Sequence, residues 1–336
     1  MESINHQYLL AHHPEGALQE SNFTWQEAPV PKPGAGEVLV RVLYLSLDPA
    51  NRGWINKGGS YRDPVLPGQV MAGFTIARVV ESKFSGLAAG DIVECEAGWQ
   101  DYAVLPGDKL HRLEGDAPLE LWMNVLGLTG KTAYFGLLDI GKPQPGETVV
   151  VSGAAGATGS VAGQIAKIKG CRVVGIAGTD EKCEWLRELG FDAAINYKRE
   201  ELAQGLRAAC PDGIDVYFDN VAGDTLQAAL LQMRLHGRIV CCGAVSQYDK
   251  AERAPSPMGL PGLLIVRRLT MQGFIVMDHY DRRQEAEREL LKWVQEGHIQ
   301  YRLDIVDGLK QAPRALIGVL YGDNTGKRMI RVDPDA

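Results

Sequence analysis

The chain has 336 residues, 45% of them hydrophobic and 23% charged, with a formal net charge of -7. That length exceeds one ordinary core and predicts two domains, and the negative balance argues against nucleic acid or an anionic membrane surface as a partner, since both require a cationic footprint. No apolar stretch approaches the ~20 residues needed to cross a bilayer, and the N-terminus, with Glu2, Asn5 and His6, lacks the apolar core of a secretory leader, so a cytoplasmic protein is expected.

From Tyr8 to about Leu126, short apolar runs alternate with Pro and Gly. After the turn-rich segment 29–36, residues 37–47 read as a strand buried on much of both faces, and 72–80, 91–95 and 100–104 read as further strands. Strands at such intervals predict a small β-barrel-like domain. Helical spacing over 121–138, interrupted by Gly127 and Gly130, marks the passage into a second domain. The six cysteines, Cys95, Cys171, Cys183, Cys210, Cys241 and Cys242, form no C-x-x-C pair and suit reduced, buried thiols; the vicinal Cys241 and Cys242 read as strand core.

The second domain opens on Thr148-Val149-Val150-Val151, an apolar run without alternation that suits a strand buried in a parallel sheet. Gly153, Gly156 and Gly159 follow at intervals of three, and a helix over 160–169 comes next. Glycines there allow a tight turn and close approach to a ligand, and the free N–H groups and dipole of a helix N-terminus favour a pyrophosphate. The spacing is G-x-x-G-x-x-G, not G-x-G-x-x-G, so the glycines by themselves also fit an ordinary strand-to-helix turn. A second strand over 171–177 completes a βαβ unit. Helices over 181–189, 201–209 and 226–235 and strands over 193–197, 214–221, 237–242 and 269–277 continue the alternation, which predicts a doubly wound sheet with its ligand at the carboxyl ends of the strands. Helices over 284–295 and 309–320 and a strand over 327–332 end the chain, the last placed to return to the first domain.

An NAD-specific site needs a carboxylate at the end of the second strand. Ala177-Gly178-Thr179 stands there instead, with Lys182 beyond it, so a 2′-phosphate would meet a hydroxyl and an ammonium. NADPH is favoured. The alternatives are that Asp180 reaches the ribose and that Lys182 is a solvated helix residue.

Six stretches carry a family resemblance: Ser46-Leu47-Asp48-Pro49, residues 128–136, Ala154-Ala155-Gly156-Ala157-Thr158-Gly159-Ser160, Asp219-Asn220-Val221, residues 242–248 and residues 322–327. Over nearly its whole length the chain resembles the zinc-independent medium-chain dehydrogenases/reductases, in particular the NADPH-dependent alkenal/enone reductases typified by prostaglandin reductase and curcumin reductase. The resemblance implies an α/β protein: a GroES-like β-barrel catalytic domain from 1–125 and 299–336, and a Rossmann doubly wound parallel sheet over 126–298. It implies NADPH contacts at Gly156, Ala157, Thr158 and Gly159 on the pyrophosphate, at Lys182 and Tyr197 on the 2′-phosphate side, at Asn220, at Cys242, Gly243, Ala244, Ser246 and Tyr248, at Phe274, Ile275 and Val276 on the nicotinamide side, and at Asn324. Ser46 and Gly68-Gln69 stand where metal-dependent relatives carry zinc ligands, Cys95 is the one cysteine before Gly153, and His12-His13 lies in a predicted loop; no metal is expected.

Without a metal, a hydride acceptor must be polarised by hydrogen bonds. Hydride addition to the β-carbon of an α,β-unsaturated ketone or aldehyde moves charge onto the carbonyl oxygen, where donors stabilise an enolate, and the α-carbon then takes a proton from tyrosine or water. Tyr61 and Tyr248 are the candidate catalytic donors, and each is also compatible with a packing or surface role. Family members often carry Tyr directly after Ser-Leu-Asp-Pro; this chain has Ala50, then Asn51 and Arg52, and Val266 occupies a position where some relatives place a tyrosine. A shift toward bulkier enones is expected from the missing ring. The competing readings are an NADPH:quinone oxidoreductase and a non-catalytic NADPH-binding protein. A homodimer is the default assembly.

Overall fold

The structure, a computed structural model, describes residues 4–58, 60–250 and 257–336. The chain divides into two compact units, one of Met1–Met123, Leu303–Asn324 and Arg328–Ala336, the other of Asn124–Arg302 and Thr325–Lys327.

The first unit is a GroES-like β-barrel. Its seven-stranded sheet runs Leu303–Asp307, Lys327–Arg331, Glu37–Ser46, Thr75–Ser82, Ile92–Cys95 and His111–Arg112, with Tyr102–Pro106 also paired to Glu37–Ser46. The loose alternation of Glu37–Ser46 has its reason in double burial. Val38, Val40 and Val42 pack with Ala77, Val79, Val93 and Ala103, whereas Leu45 joins Leu10, Phe23, Met71, Trp99, Leu316 and Ile330 in a second cluster. Each of the Val, Leu, Ile, Phe and Met side chains contributes about 1.5–3 kcal/mol by leaving water. The antiparallel hairpin Ile4–Leu10 with Phe23–Pro29 was not marked by the pattern, because its strands are mostly half-exposed and interleave His, Gln and Glu with aromatics. Pro313 sits in the first turn of the Ala312–Tyr321 helix, where no intrahelical N–H is lost.

The second unit holds a six-stranded parallel sheet in the order Ala193–Asn196, Arg172–Ala177, Thr148–Val151, Ile214–Asp219, Met233–Cys241 and Thr270–Gly273. Numbered within the sheet this is 3-2-1-4-5-6, the dinucleotide-binding order, and its direction reverses between Thr148–Val151 and Ile214–Asp219. All four residues of Thr148–Val151 are buried, as a central strand requires. Leu206, Leu226 and Leu230 of the crossing helices pack on Val150, Ile176, Tyr217 and Ile239.

Some element bounds differ from the sequence pattern. The helix over 226–235 is Gly223–Leu230, and Leu235 already lies in the Met233–Cys241 strand. Cys241 closes that strand and Cys242 follows it, and both are half-buried. The strand over 269–277 is cut to Thr270–Gly273, and a 3-10 turn, Val276–Arg282, begins at the buried Val276. The 121–138 stretch is no single helix: Leu119–Met123 and Leu128–Phe135 are separate, the second capped by Gly127 and continued by a π-turn, Gly136–Gly141. Helix Leu260–Arg267, with no fully buried side chain, is an element that the periodicity did not mark.

Candidate active site

The helix Ala157–Ile168 starts at Gly156 with no side-chain cap on its first turn, so its N-terminal N–H groups and dipole face outward at the switch point. Gly153 takes φ +56° to make the turn. A Cβ on Gly159 would lie 2.4 Å from the Gly153 carbonyl oxygen, so only glycine lets the helix close on the strand end. Gly326 adds itself to this turn: its N–H donates to the Ala155 carbonyl at 2.9 Å, and its φ of +74° and the Arg302 carbonyl 2.3 Å from a built Cβ demand glycine there too. Asn324 stands two residues before it, half-buried in the first unit.

The sheet gathers more of the expected residues at its carboxyl edge. Asn220 donates from Nδ2 to the Ser152 carbonyl at 2.7 Å and from its backbone N–H to Ser152 Oγ at 2.9 Å. Cys242 and Gly243 donate their N–H groups to the Asp219 carbonyl at 2.9 and 3.0 Å. Ser246 Oγ donates to the Val221 carbonyl at 2.6 Å. Because Cys241 pairs with Gly273, Phe274 follows at the same edge, its ring against Gly136: a Cβ on Gly136 would meet Phe274 Cζ at 2.5 Å and Phe218 Cε2 at 3.0 Å.

Two residues that this gathering depends on were not singled out as site residues. Ser152 Oγ donates to Asp219 Oδ1 at 2.9 Å, and the same oxygen accepts from Tyr217 OH at 3.0 Å and from the N–H groups of Val221 and Ala222 at 3.0 and 2.9 Å. Burial raises the Asp219 pKa against the opposing pull of those four donors. This clasp joins the two strands of the switch point and holds Ala222 at φ +62°. The signal available in the sequence was Asp219 itself, an acid ending an apolar strand.

Beyond the end of the Arg172–Ala177 strand, Tyr197 donates its N–H to the Ala177 carbonyl at 3.2 Å. A Cβ on Gly178 would lie 3.2 Å from Tyr197 Cε1 and 3.4 Å from Lys198 Cε, so the ring and the lysine stem cover that glycine. Thr179 Oγ1 accepts the Lys182 N–H at 3.2 Å as a helix cap, which leaves its O–H hydrogen as a donor. Asp180, the alternative ribose ligand, is engaged by Arg199 and by Asn196 Nδ2 at 2.6 Å. Lys198 Nζ lies over the Tyr197 ring, 6.0 Å from its centroid.

Of the two tyrosines, Tyr248 accepts the Ala244 N–H on its hydroxyl oxygen at 3.0 Å, and burial raises its pKa. Tyr61 belongs to the first unit, is 47% exposed, and accepts the Trp54 indole N–H at 2.8 Å. Burial pushes the Cys241 thiol up to about 11 and those of Cys95 and Cys242 to about 12, which leaves no thiolate nucleophile among these three at neutral pH. Ser46, buried, donates to Asp48. Among the described residues no three His, Cys, Asp or Glu side chains are grouped as a metal-ligand set.

Residues 6–113 match the family model described as the N-terminal domain of oxidoreductase, and 157–296 match that described as zinc-binding dehydrogenase. The chain is 46% identical to the NADPH-dependent curcumin reductase of Escherichia coli over 98% of each chain, and 44% identical to prostaglandin reductase 1 of Rattus norvegicus over 96% of this chain and 98% of that one. The protein belongs to the NADP-dependent alkenal/enone reductases of the medium-chain dehydrogenase/reductase superfamily. The crystal structure of CurA from Vibrio vulnificus in complex with NADPH superposes with a TM-score of 0.92 at 41% identity, covering 98% of this chain and 99% of that one. The glycine turn, whose helix has no side-chain cap, has the character of an anion seat.

Proposed function

We propose that the protein reduces the C=C bond of α,β-unsaturated ketones and aldehydes at the expense of NADPH. The observation that carries this is the switch-point seat, an uncapped helix N-terminus on a glycine turn, with Thr179 and Lys182 beyond the end of the neighbouring strand, in a chain that shares its family with enone reductases. Gly156 to Gly159 would hold the pyrophosphate, Lys182 and Tyr197 the 2′-phosphate, and Asn220, residues 242–248, residues 274–276 and Asn324 the remainder. NADPH, when bound, supplies a hydride to the β-carbon of the enone. The chain's own part is to stabilise the charge that reaches the carbonyl oxygen and to deliver a proton to the α-carbon. Tyr61 and Tyr248 are assigned to that part. Each hydroxyl oxygen already accepts an N–H, so its hydrogen points elsewhere as a donor. The reaction is metal-free in this reading, supported by Ser46 and Gly68-Gln69 in the zinc-ligand positions.

The assay follows NADPH oxidation with an alkenal such as nonenal, a ring enone, a quinone and no acceptor. Faster turnover of the enones than of the quinone is expected. Preference for the quinone would replace this reading with a quinone reductase, and no oxidation with any acceptor would replace it with a non-catalytic NADPH-binding protein. A cytoplasmic location accords with six cysteines that form no disulfide. A homodimer accords with Ile265 and Val266, 73% and 67% exposed on Leu260–Arg267, next in sequence to Thr270–Gly273, an end strand of the sheet.

A further inference from the structure

We propose that Trp54 is a positioning residue for Tyr61, acting through the indole N–H. The inference rests on the assignment of Tyr61 as a donor to the substrate, and it concerns a residue that neither the motifs nor the mechanism above uses. Trp54 closes the short helix Ala50–Trp54 and is 1% exposed. Its backbone carbonyl accepts the Val65 N–H at 2.8 Å, and its Nε1–H donates to Tyr61 OH at 2.8 Å. Both groups of one buried residue therefore fasten the loop that carries Tyr61. The ring itself is held: the Arg62 guanidinium lies 4.8 Å from its centroid, Arg62 is fixed in turn by Glu96 Oε1 at 2.5 Å, and Phe74 meets it edge-on at 5.9 Å.

An indole nitrogen can only donate. The Tyr61 oxygen is thus the acceptor in this bond, and its hydrogen is directed away from Trp54. A phenol that accepts a hydrogen bond is a stronger donor through its own O–H, because the two bonds polarise one another. When the Tyr61 proton passes to the α-carbon, a C–H bond forms, the O–H electron pair stays on the phenolic oxygen, and the indole N–H faces that charge until water returns the proton. The Arg62 cation on the indole face acts in the same direction. The Trp54 bond favours rotamers of Tyr61 in which its oxygen is an acceptor.

A merely structural tryptophan and a positioning one differ in whether their effect depends on the Tyr61 hydroxyl. Trp54→Phe, Tyr61→Phe and the double variant are compared for kcat and KM with nonenal at saturating NADPH, with NADPH Kd as the check on folding. Trp54→Phe is expected to lower kcat about tenfold, the equivalent of about 1.4 kcal/mol, with NADPH Kd unchanged, and to add no further loss in the Tyr61→Phe background. An equal loss in both backgrounds would overturn the inference and leave Tyr61 in place. No loss in Tyr61→Phe itself would remove the Tyr61 assignment and this inference together. If Trp54→Phe no longer binds NADPH, Arg62→Gln decides: a twofold to threefold loss of kcat confined to the background that keeps Tyr61 supports the relay, and an equal or absent effect in both backgrounds overturns it.

Discussion

Gly159→Ala tests the nucleotide seat most directly. The added methyl would stand 2.4 Å from the Gly153 carbonyl oxygen and 2.9 Å from the Ala154 Cα. Both are backbone atoms in a turn already committed to a left-handed residue at Gly153, so no side chain can rotate out of the way and the helix must lift off the strand end. Overpacking of this kind costs about 1–3 kcal/mol. Relief by a shift of the order of an ångström carries the first-turn N–H groups out of hydrogen-bond range of a bound phosphate. A hydrogen bond to a charged group contributes about 1.5–3 kcal/mol, and 1.4 kcal/mol is about tenfold in Kd, so the loss of one such bond weakens NADPH binding by roughly 10-fold to 100-fold. The assay is a fluorescence or calorimetric titration of NADPH, with the melting temperature measured alongside. Gly163→Ala, one turn further along the same helix, is the control: its Cβ would lie 2.0 Å from Phe191 Cζ, a side chain away from the turn, so it should lower the melting temperature and change Kd little. Equal Kd values for wild type and Gly159→Ala, or equal losses in the two variants, would refute the seat.

Lys182→Ala should reduce NADPH affinity about 10-fold to 100-fold while NADH affinity stays level, by the loss of one charged contact; parallel loss for both nucleotides would move the 2′-phosphate elsewhere, with Lys198 and Arg199 the next residues to test. Ser152→Ala removes one donor to Asp219 and the acceptor for the Asn220 N–H, and should raise the KM for NADPH more than it lowers kcat; a kcat effect alone would argue that the clasp serves the substrate instead. Burial works to raise the Glu147 pKa, but the Arg238 guanidinium and the Gln144 N–H outweigh it and hold the carboxyl below its ordinary range. A depressed carboxyl contributes stability that is present above its unfolded value, about 4.3, and is lost as pH falls through its lower folded value; a profile of melting temperature against pH should be flatter across that interval in Glu147→Gln, and an unchanged slope would remove Glu147 as its source. Ile265→Glu is expected to shift sedimentation from dimer to monomer with NADPH binding intact; a wild-type monomer in the same run would dismiss the dimer.

The residues that were legible are those whose backbone or burial demands are local. Four buried residues at 148–151, a left-handed Gly153 and a Gly159 without room for Cβ all lie within a dozen positions, so the run of residue types carries the geometry. The same holds for Glu37–Ser46, whose double burial shows in its composition. The hairpin Ile4–Leu10 with Phe23–Pro29 was not legible, since half-exposed strands mix polar and aromatic residues without a clear period. Helix Leu260–Arg267 is not legible for the opposite reason: it is apolar on all sides, so although Leu260 and Leu263 pack on the sheet core, exposed Ile265 and Val266 blur the period.

The sequence by itself determined the fold class, the parallel sheet with its glycine turn, and the absence of an acid where NAD would require one. Tertiary structure alone decided how those pieces are held. Ser152 meets Asp219 across 67 positions of chain, Gly326 returns from the far end of the sequence to bond Ala155, and Asp180 pairs with Arg199. Trp54 and Tyr61, though only seven residues apart, meet through a loop whose path no periodicity encodes. Hydrogen bonds of this kind depend on direction and on distances of about 3 Å, and a linear pattern specifies which groups can donate or accept but not which of them come within reach.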